Sequence, residues 1–583
     1  MTEKKAIPPA SLDDLPGIFD HAAAAAIARL TKGMSPITLF QSMSDWMVHL
    51  GIAPGKRIEL AVLATQHLLA LASYTGSTLK EEAEPIVEPL PQDHRFAAPE
   101  WKEQPFALIQ EAFLLNQKWW HAATTGVRGV DRHHESVVEF TARQLLDTFA
   151  PSNFLATNPV LQKRIFATGG GCLAQGALYW LQDFWAFASG TSPSADDGFR
   201  VGKDVAVTTG KVVFRNALIE LIQYAPTTDT VRPEPILFVP AWIMKYYILD
   251  LSPENSLVRW LTAQGFTVFM ISWRNPGPED RDLDMEDYRS MGVMAALDAV
   301  SVITGATAVH TVGYCLGGTL LSIAAAAMAR DGDDRLASIT LLAAQTEFSE
   351  PGELGLFIDE AQLNLLDGMM WSSGYLDSAQ MGGAFQLLRS NDLIWSRILT
   401  SYLMGKRERP SDLMAWNADG TRLPYAMHSQ YLRQMYLEDA LAEGKYVVGG
   451  RAVALSAIRA PLFVVGTERD HVAPWRSVYK IHLLTPAEIT FVLTSGGHNA
   501  GIVSEPGHPG RHYQLLCREA DGQACDAEEW LHRAPKEDGS WWTAWAGWLA
   551  QRSGAPVPPP SIGAADKGLP PLDDAPGLYV LER

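Results

Sequence analysis

Thr311-Val-Gly-Tyr-Cys-Leu-Gly-Gly-Thr319 closes an apolar run, Ala308-Val-His-Thr-Val312, and opens a small-residue run, Thr319-Leu-Leu-Ser-Ile-Ala-Ala-Ala-Ala-Met328. Strand, sharp turn and helix, in that order, is the context in which G-x-S-x-G marks a nucleophile elbow. Here Cys315 takes the middle position, with Gly313 and Gly317 two residues to either side. A nucleophile on a strained turn needs such neighbours, because a side chain there would collide with the strand and helix. Gly318 further lets the helix pack close to the sheet. A buried structural cysteine in a strand-to-helix turn could show the same residues, so the reading depends on what the rest of the chain supplies.

Outward from this stretch, short Val/Ile/Leu/Phe runs at 235–240, 267–272, 308–312, 338–343, 461–466 and 489–494 alternate with helical segments at 255–264, 285–303 and 316–330. Continuous apolar runs bounded by loops suit a parallel sheet covered on both faces. Two further strands are expected at 211–216 and 218–224, and 489–494 is expected to be the last. The pattern predicts an α/β fold of the α/β-hydrolase kind, a mostly parallel, doubly wound sheet, over residues 201–583. Alternation stops between 344 and 458, too long an interval for a loop, and a cap or lid insertion is expected there, above the nucleophile. Before residue 199 the apolar spacing is helical throughout, so residues 1–200 are expected to form an all-helical N-terminal domain, loosely ordered over its Pro- and Ala-rich first 30 residues. The Trp-rich Ser540–Trp548 predicts a final helix packed on the sheet.

At 583 residues, 47% hydrophobic and 19% charged, the chain has the make-up of a globular protein with room for more than one domain. A net charge of -19 argues against a general nucleic-acid binder, while leaving room for a local cationic pocket. The four cysteines, Cys172, Cys315, Cys517 and Cys525, form no closely spaced pair. That is neither a zinc site nor a disulfide framework, and it fits a reducing compartment. No run predicts a transmembrane helix, and Met1-Thr-Glu-Lys-Lys-Ala-Ile-Pro-Pro lacks a signal's apolar core, so a cytoplasmic protein is expected. Gly169-Gly-Gly-Cys172 lacks the G-K-[ST] ending of a phosphate loop and predicts a helix kink instead.

A free thiol has a pKa of about 8.5, so an elbow cysteine needs a base, and the base needs an orienting carboxylate. In α/β-hydrolase order the acid and then the histidine follow later strands. The run at 461–466 leads into Thr467-Glu-Arg-Asp470-His-Val-Ala-Pro-Trp475, and 489–494 leads into Ser495-Gly-Gly-His498-Asn-Ala-Gly501. Asp470 is the preferred acid, with Glu468 as the alternative, and His498 is the base; His471 follows the acid rather than the last strand. An oxyanion hole would take the backbone N–H of Leu316 and others from the loop Pro240-Ala-Trp-Ile-Met-Lys-Tyr-Tyr-Ile-Leu-Asp250, namely Trp242 and Ile243. The aromatic residues of that loop are expected to wall an apolar acyl pocket.

Taken together these segments resemble the class I polyhydroxyalkanoate synthases. The likeness runs through Gly202-Lys-Asp-Val-Ala-Val-Thr-Thr-Gly-Lys-Val-Val-Phe-Arg-Asn216, Trp242, Lys245-Tyr-Tyr-Ile-Leu-Asp-Leu251 and Ile271-Ser-Trp-Arg-Asn-Pro276. It continues through the elbow, Arg389-Ser-Asn-Asp-Leu-Ile-Trp395, Trp416-Asn-Ala-Asp419, Asp470-His-Val-Ala-Pro-Trp475, Gly497-His498 and Ala575-Pro-Gly-Leu-Tyr-Val580. The resemblance implies polymerisation of (R)-3-hydroxyacyl-CoA, 3-hydroxybutyryl-CoA first among them, into a polyester with release of CoA. Cys315 would carry the acyl chain, with His498 as base and Asp470 as its partner, and no cofactor beyond the CoA of the substrate. It also implies association with the polyester granule surface and a homodimer. Two departures stand out: Ala241 and Met244 lie where the family has Pro and Asn, and Asn499 where an aliphatic residue is commoner. The rival readings are a thioesterase or dienelactone-type hydrolase of the same fold, and a non-catalytic granule-binding protein.

Overall fold

The computed structural model describes residues 15–31, 33–78, 84–90, 93–189, 198–378, 380–381, 394–407 and 410–583. These fall into two compact units. One holds the described parts of Met34–Asp197 and Gly382–Arg409, the other those of Met1–Gly33, Gly198–Met381 and Pro410–Arg583. The division cuts across the expected boundary at 200: residues 15–31 lie with the sheet, and 394–407 of the expected cap interval lie with the helices. Residues 1–14 and the Arg389–Leu393 part of the quoted motif lie outside the described residues.

Helices precede the first strand: α1 (Leu15–Thr31), α2 (Pro36–Gly51), α3 (Pro54–Thr78), α4 (Phe106–Thr124), α5 (Arg132–Thr148), α6 (Pro159–Ala167) and α7 (Gly171–Ala188). Their starts are written in the sequence. Ser35 caps α2 ahead of Pro36, Asp131 accepts the N–H groups of His133 and His134 at α5, and Asn158 accepts that of Leu161 at α6. Gly169 and Gly170, at φ +56° and +83°, separate α6 from α7, so the chain breaks its helix where a kink is expected. On α7 the backbone of Tyr402 lies against Gly176, where a Cβ would come within 1.8 Å of its carbonyl oxygen. The Tyr402 hydroxyl donates to Asp183 of the same helix at 2.8 Å.

The second unit is built on a ten-stranded sheet. Its strands are β1 (Gly210–Arg215), β2 (Ile219–Tyr224), β3 (Ile236–Val239), β4 (Val268–Trp273), β5 (Val309–Tyr314), β6 (Leu336–Leu342), β7 (Leu462–Thr467), β8 (Ile489–Thr494), β9 (His512–Arg518) and β10 (Lys536–Asp538). The spatial order is β1-β2-β4-β3-β5-β6-β7-β8-β9-β10. The six strands from β4 to β8 run parallel, and the outer pairings are antiparallel. The expectation that 489–494 is the last strand is corrected by β9 and β10. β9 is half-buried and β10, at the sheet edge, is exposed, so neither carries a continuous apolar run.

Side-chain alternation fills both faces of the sheet. Leu237, Phe269, Ile271, Leu341 and Val464 enter one apolar cluster, and Phe238, Met270, Val312, Leu342 and Phe463 the other. The second cluster is closed by α14 (Trp541–Gln551), whose Trp545 indole donates to Thr340 Oγ1 of β6 at 3.0 Å. Helices α8 (Leu257–Ala263) and α9 (Ala295–Thr304) follow β3 and β4, and across the first cluster α10 (Leu316–Asp331) packs its alanines under the parallel strands. Helix α1 lies on α11 (Glu360–Ser373), where Gly368 admits Ala24 and His21 stacks on Trp371 at 5.2 Å.

Candidate active site

β5 ends at Tyr314 and α10 begins at Leu316, so Cys315 alone makes the turn, at φ +51° and ψ −122°. A β-carbon-bearing residue held there stores about 1–3 kcal/mol of backbone strain, which the surroundings must impose. They do so through contacts that leave no room. A Cβ on Gly313 would lie 2.3 Å from Gly318 Cα, and one on Gly317 2.1 Å from the Val239 carbonyl oxygen and 2.6 Å from that of Pro240. Gly318 faces Ala344 in the same way, at 2.4 Å. The Cys315 N–H is tied to the Leu342 carbonyl at 2.9 Å, and its carbonyl accepts the Gly318 N–H at 2.9 Å.

Asp470 lies in the turn after β7, and His498 in the turn after β8. The His498 Nδ1 to Asp470 Oδ2 distance is 2.8 Å, and the Asp470 side chain is 0% exposed. Its other oxygen accepts the N–H groups of Val472 and Ala473 at 2.9 and 2.8 Å. Burial pushes the Asp470 pKa up, but the His498 charge and these hydrogen bonds outweigh it and hold the pKa below the ordinary carboxylate range. For His498 burial opposes protonation. The Asp470 carboxylate and the sulfur of Cys315, which faces the ring, overcome it and raise the imidazole well above its ordinary range. The structure therefore brings Cys315, His498 and Asp470 together. Glu468 is turned away and pairs with His512 at 2.8 Å, while the His471 carbonyl accepts the Glu353 N–H. His310, in β5, is a core residue bonded to Ser338 and Ser553, its pKa lowered to about 4 by burial.

The Val239 and Pro240 carbonyls that exclude a side chain at Gly317 start the loop expected to supply oxyanion donors. Among the described residues the N–H groups of Trp242 and Ile243 donate to no protein acceptor. Leu316 opens α10, so its N–H has no partner one turn back. Trp273 Nε1 fixes the Pro240 carbonyl at 2.9 Å. The rest of the loop departs from expectation. Tyr246 and Tyr247 are buried in the core rather than walling a pocket, with Tyr247 donating to Asp419 at 2.9 Å. Trp242 does face an aromatic cluster, formed with Trp273, Tyr288 and Tyr431 at ring distances of 6.3, 5.3 and 6.4 Å.

Sequence reasoning missed Tyr431, Tyr436 and Phe348. Tyr431 ends α13 (Tyr425–Tyr431), counting Asp412–Asn417 as α12, and a π-helical turn, Leu432–Leu437, follows. With about 4.4 residues per turn instead of 3.6, that turn brings residues five apart onto one face. Tyr431 and Tyr436 consequently stand 5.6 Å apart, with Phe348 4.9 Å from Tyr436. Burial, with a smaller push from the Cys315 sulfur, raises both phenols; Tyr436 raises Tyr431 further, while the hydrogen bond with Tyr431 lowers Tyr436 without cancelling its rise, so both remain neutral. A 3.6-residue template places them on different faces, which is why no pattern flagged them.

Comparison with known proteins assigns a family over most of the chain. Residues 16–56 match the family described as poly-beta-hydroxybutyrate polymerase N terminal, and 92–261 that described as poly-beta-hydroxybutyrate polymerase (PhaC) N-terminus. Residues 234–505 match the alpha/beta hydrolase fold. A poly(3-hydroxyalkanoate) polymerase of Methylorubrum extorquens is 41% identical over 533 residues, covering 90% of this chain and 87% of its own. The chain belongs to the poly(3-hydroxyalkanoate) polymerase family. Another relative, poly(3-hydroxyalkanoate) polymerase subunit PhaC of Cupriavidus necator, is 35% identical over 84% of this chain and 83% of its own. In this member of the polymerase family no helix among the described residues is long and apolar enough to cross a membrane.

Proposed function

We propose that the chain polymerises (R)-3-hydroxyacyl-CoA, 3-hydroxybutyryl-CoA first among them, into a polyester through an acyl thioester on Cys315. The observation that carries this reading is the elbow cysteine facing His498, whose Nδ1 is held by the buried Asp470. His498 takes the proton of the Cys315 thiol, and the sulfur attacks the thioester carbonyl of the substrate. Negative charge gathers on the carbonyl oxygen, and the N–H groups of Leu316, Trp242 and Ile243 are the donors assigned to it. The intermediate collapses, the carbon–sulfur bond to CoA breaks, and His498 supplies the proton to the departing thiolate. The 3-hydroxyl of a second acyl unit then attacks the Cys315 thioester while His498 accepts its proton, forming the ester and freeing the cysteine. Asp470 keeps the imidazole in the tautomer that allows both transfers. Aromatic side chains around Trp242 and Tyr431 exclude water, which would otherwise release free acid. No cofactor is required, since CoA arrives with the substrate.

The same reading takes growth to occur at the polyester granule surface, with the protein as a homodimer. Apolar side chains exposed in the helical unit, such as Phe40, Phe166 and Trp185, support an apolar partner surface there. The 344–458 interval, part of which supplies Tyr431 and Tyr436, is the proposed lid. Incubation of the purified chain with 3-hydroxybutyryl-CoA tests the reaction by scoring CoA and product together. Insoluble polyester is expected from the wild type, and no CoA release from a folded Cys315→Ala variant. Soluble 3-hydroxybutyrate as the only product would identify a hydrolase instead.

A further inference from the structure

The segment Trp416–Thr421 runs along the loop that carries the oxyanion donors. Trp416 Nε1 donates to the Lys245 carbonyl at 2.7 Å, the Tyr247 hydroxyl to Asp419 at 2.9 Å, and the Thr421 N–H to the Ile243 carbonyl at 3.1 Å. The Thr421 hydroxyl donates to the Trp242 carbonyl. A trans peptide holds its C=O and N–H on opposite sides of one rigid plane. The peptide whose carbonyl Thr421 grips is the one that carries the Ile243 N–H. With its carbonyl drawn toward Thr421, that N–H is turned the other way, and among the described residues it has no protein acceptor. The loop's carbonyls are thus engaged by Trp416 and Thr421 while its N–H groups stay unspent.

We propose that Thr421 is a positioning residue of the polymerase reaction, fixing the Trp242–Ile243 peptide so that the Ile243 N–H faces the oxyanion formed at Cys315. Thr421 is 3% exposed, so its hydroxyl has no bulk water to turn to, and its β-branched side chain has few rotamers to sample. Gly420 makes the approach possible, for a Cβ there would already touch Ser378 at 3.0 Å. Fixed dipoles stabilise a developing charge without reorganising when it forms, which is where most of their effect lies. Loss of the hydroxyl frees the Trp242 carbonyl to seek another donor, and the peptide turns with it. The inference rests on the Cys315 reading given above.

The test compares Thr421→Val, which keeps the shape and removes the hydroxyl, with Thr421→Ser, which keeps the hydroxyl, in the full chain. Deleting a whole oxyanion donor costs about 10²–10³ in kcat, so a donor left present but misdirected should cost about 10–100-fold. We expect Thr421→Val to lower kcat for CoA release by that factor with KM within about twofold, and Thr421→Ser to stay within about threefold of wild type. The midpoint of the pH profile should not move, because His498 and Asp470 are untouched. Thr421→Ala, which adds no volume, is read beside Thr421→Val, so that a fold lost to a misplaced methyl does not decide the result. A folded Thr421→Ala or Thr421→Val with wild-type kcat overturns the proposal, as does a Thr421→Ser as slow as Thr421→Val. A loss carried by KM also overturns it. Failure of the underlying reading looks different: the wild type would release no CoA, or Cys315→Ala would release it as fast.

Discussion

Replacing Asp470 by Asn separates the roles of the two acidic residues that follow β7. The substitution keeps the size of the side chain and an acceptor for the Val472 and Ala473 N–H groups, but it sets an amide NH₂ where Oδ2 lies 2.8 Å from His498 Nδ1. An amide that donates there demands an acceptor at Nδ1, which moves the ring proton to Nε2 and leaves no lone pair to receive one from Cys315 or an attacking hydroxyl. In a serine protease the equivalent change costs about 10⁴ in kcat. A thiol ionises several units below an alcohol and depends less on its base, so a loss of about 10²–10³ is expected here. At 1.36 kcal/mol per tenfold that is about 2.7–4 kcal/mol of transition-state stabilisation. Glu468 offers the control. It pairs with His512 at the surface, where such pairs contribute about 0–1 kcal/mol, so Glu468→Gln should keep CoA release within about twofold. Initial rates of CoA release, with circular dichroism to verify folding, decide the matter. Asp470→Asn retaining more than a tenth of wild-type kcat, or Glu468→Gln losing as much as Asp470→Asn, would refute the assignment of the acid.

Two further outcomes follow from the elbow and its partners. Gly318→Ala places its Cβ 2.4 Å from that of Ala344 and 3.1 Å from the Gly313 carbonyl oxygen, so it should destabilise by about 1–3 kcal/mol and be partly restored by Ala344→Gly. Gly317→Ala instead strikes the Val239 and Pro240 carbonyls, and no side-chain change should rescue it; denaturant melts of the four variants check both. Stability should also depend on pH through the His498–Asp470 pair. Asp470, its pKa depressed, contributes fully above its unfolded value of about 3.9, and the contribution fades as pH falls through the folded value. His498, its pKa raised, contributes fully below about 6.5, and this is lost as pH rises through the folded value. The Tm difference between wild type and His498→Gln should therefore be largest between about pH 4 and 6.5, and a difference that ignores pH would contradict the pairing.

How much of this was legible beforehand depended on burial. Strands β3 to β8 are covered on both faces, so each had to be a continuous apolar run, and each was read from one. β9 is only partly covered: His512, Gln514 and Arg518 interrupt its apolar residues, and β10 is three exposed residues held by pairing with β9 alone. Such edge strands are set by their partner rather than by their own pattern. The same logic governs the site. Cys315 and His498 follow strands whose ends are visible in the sequence, so chain order sufficed to nominate them. Choosing Asp470 over Glu468 needed the turn itself. The Glu468 N–H still bonds to Thr494 as an extension of the sheet, and two residues later the Asp470 carboxylate caps the turn through Val472 and Ala473. Thr421, Tyr431 and Tyr436 come from an insertion whose approach to the elbow is a matter of tertiary packing, and in two of them of a π-turn. No local period encodes that.

Asn499 shows how a departure from the family pattern can be read once its surroundings are known. It follows His498, where an aliphatic residue is commoner, yet its Oδ1 accepts the Tyr314 hydroxyl at 2.6 Å and its Nδ2 donates to Asn417 at 3.2 Å. Tyr314 precedes Cys315 and its ring lies 5.8 Å from that of His498, so the bond ties together the two turns that carry Cys315 and His498. Asn499→Leu would leave a buried phenol without its acceptor, a loss of about 1–3 kcal/mol. Tyr314→Phe removes the donor and leaves a carboxamide that still has Asn417, which should cost less. The double variant, with neither group present, should be closer to wild type than the sum of the singles, because the unpaired hydroxyl that makes Asn499→Leu costly no longer exists. Urea melts of the four proteins give the coupling energy directly. Strict additivity would mean that Asn499 is merely tolerated beside Tyr314, and that the two turns are held together by packing alone.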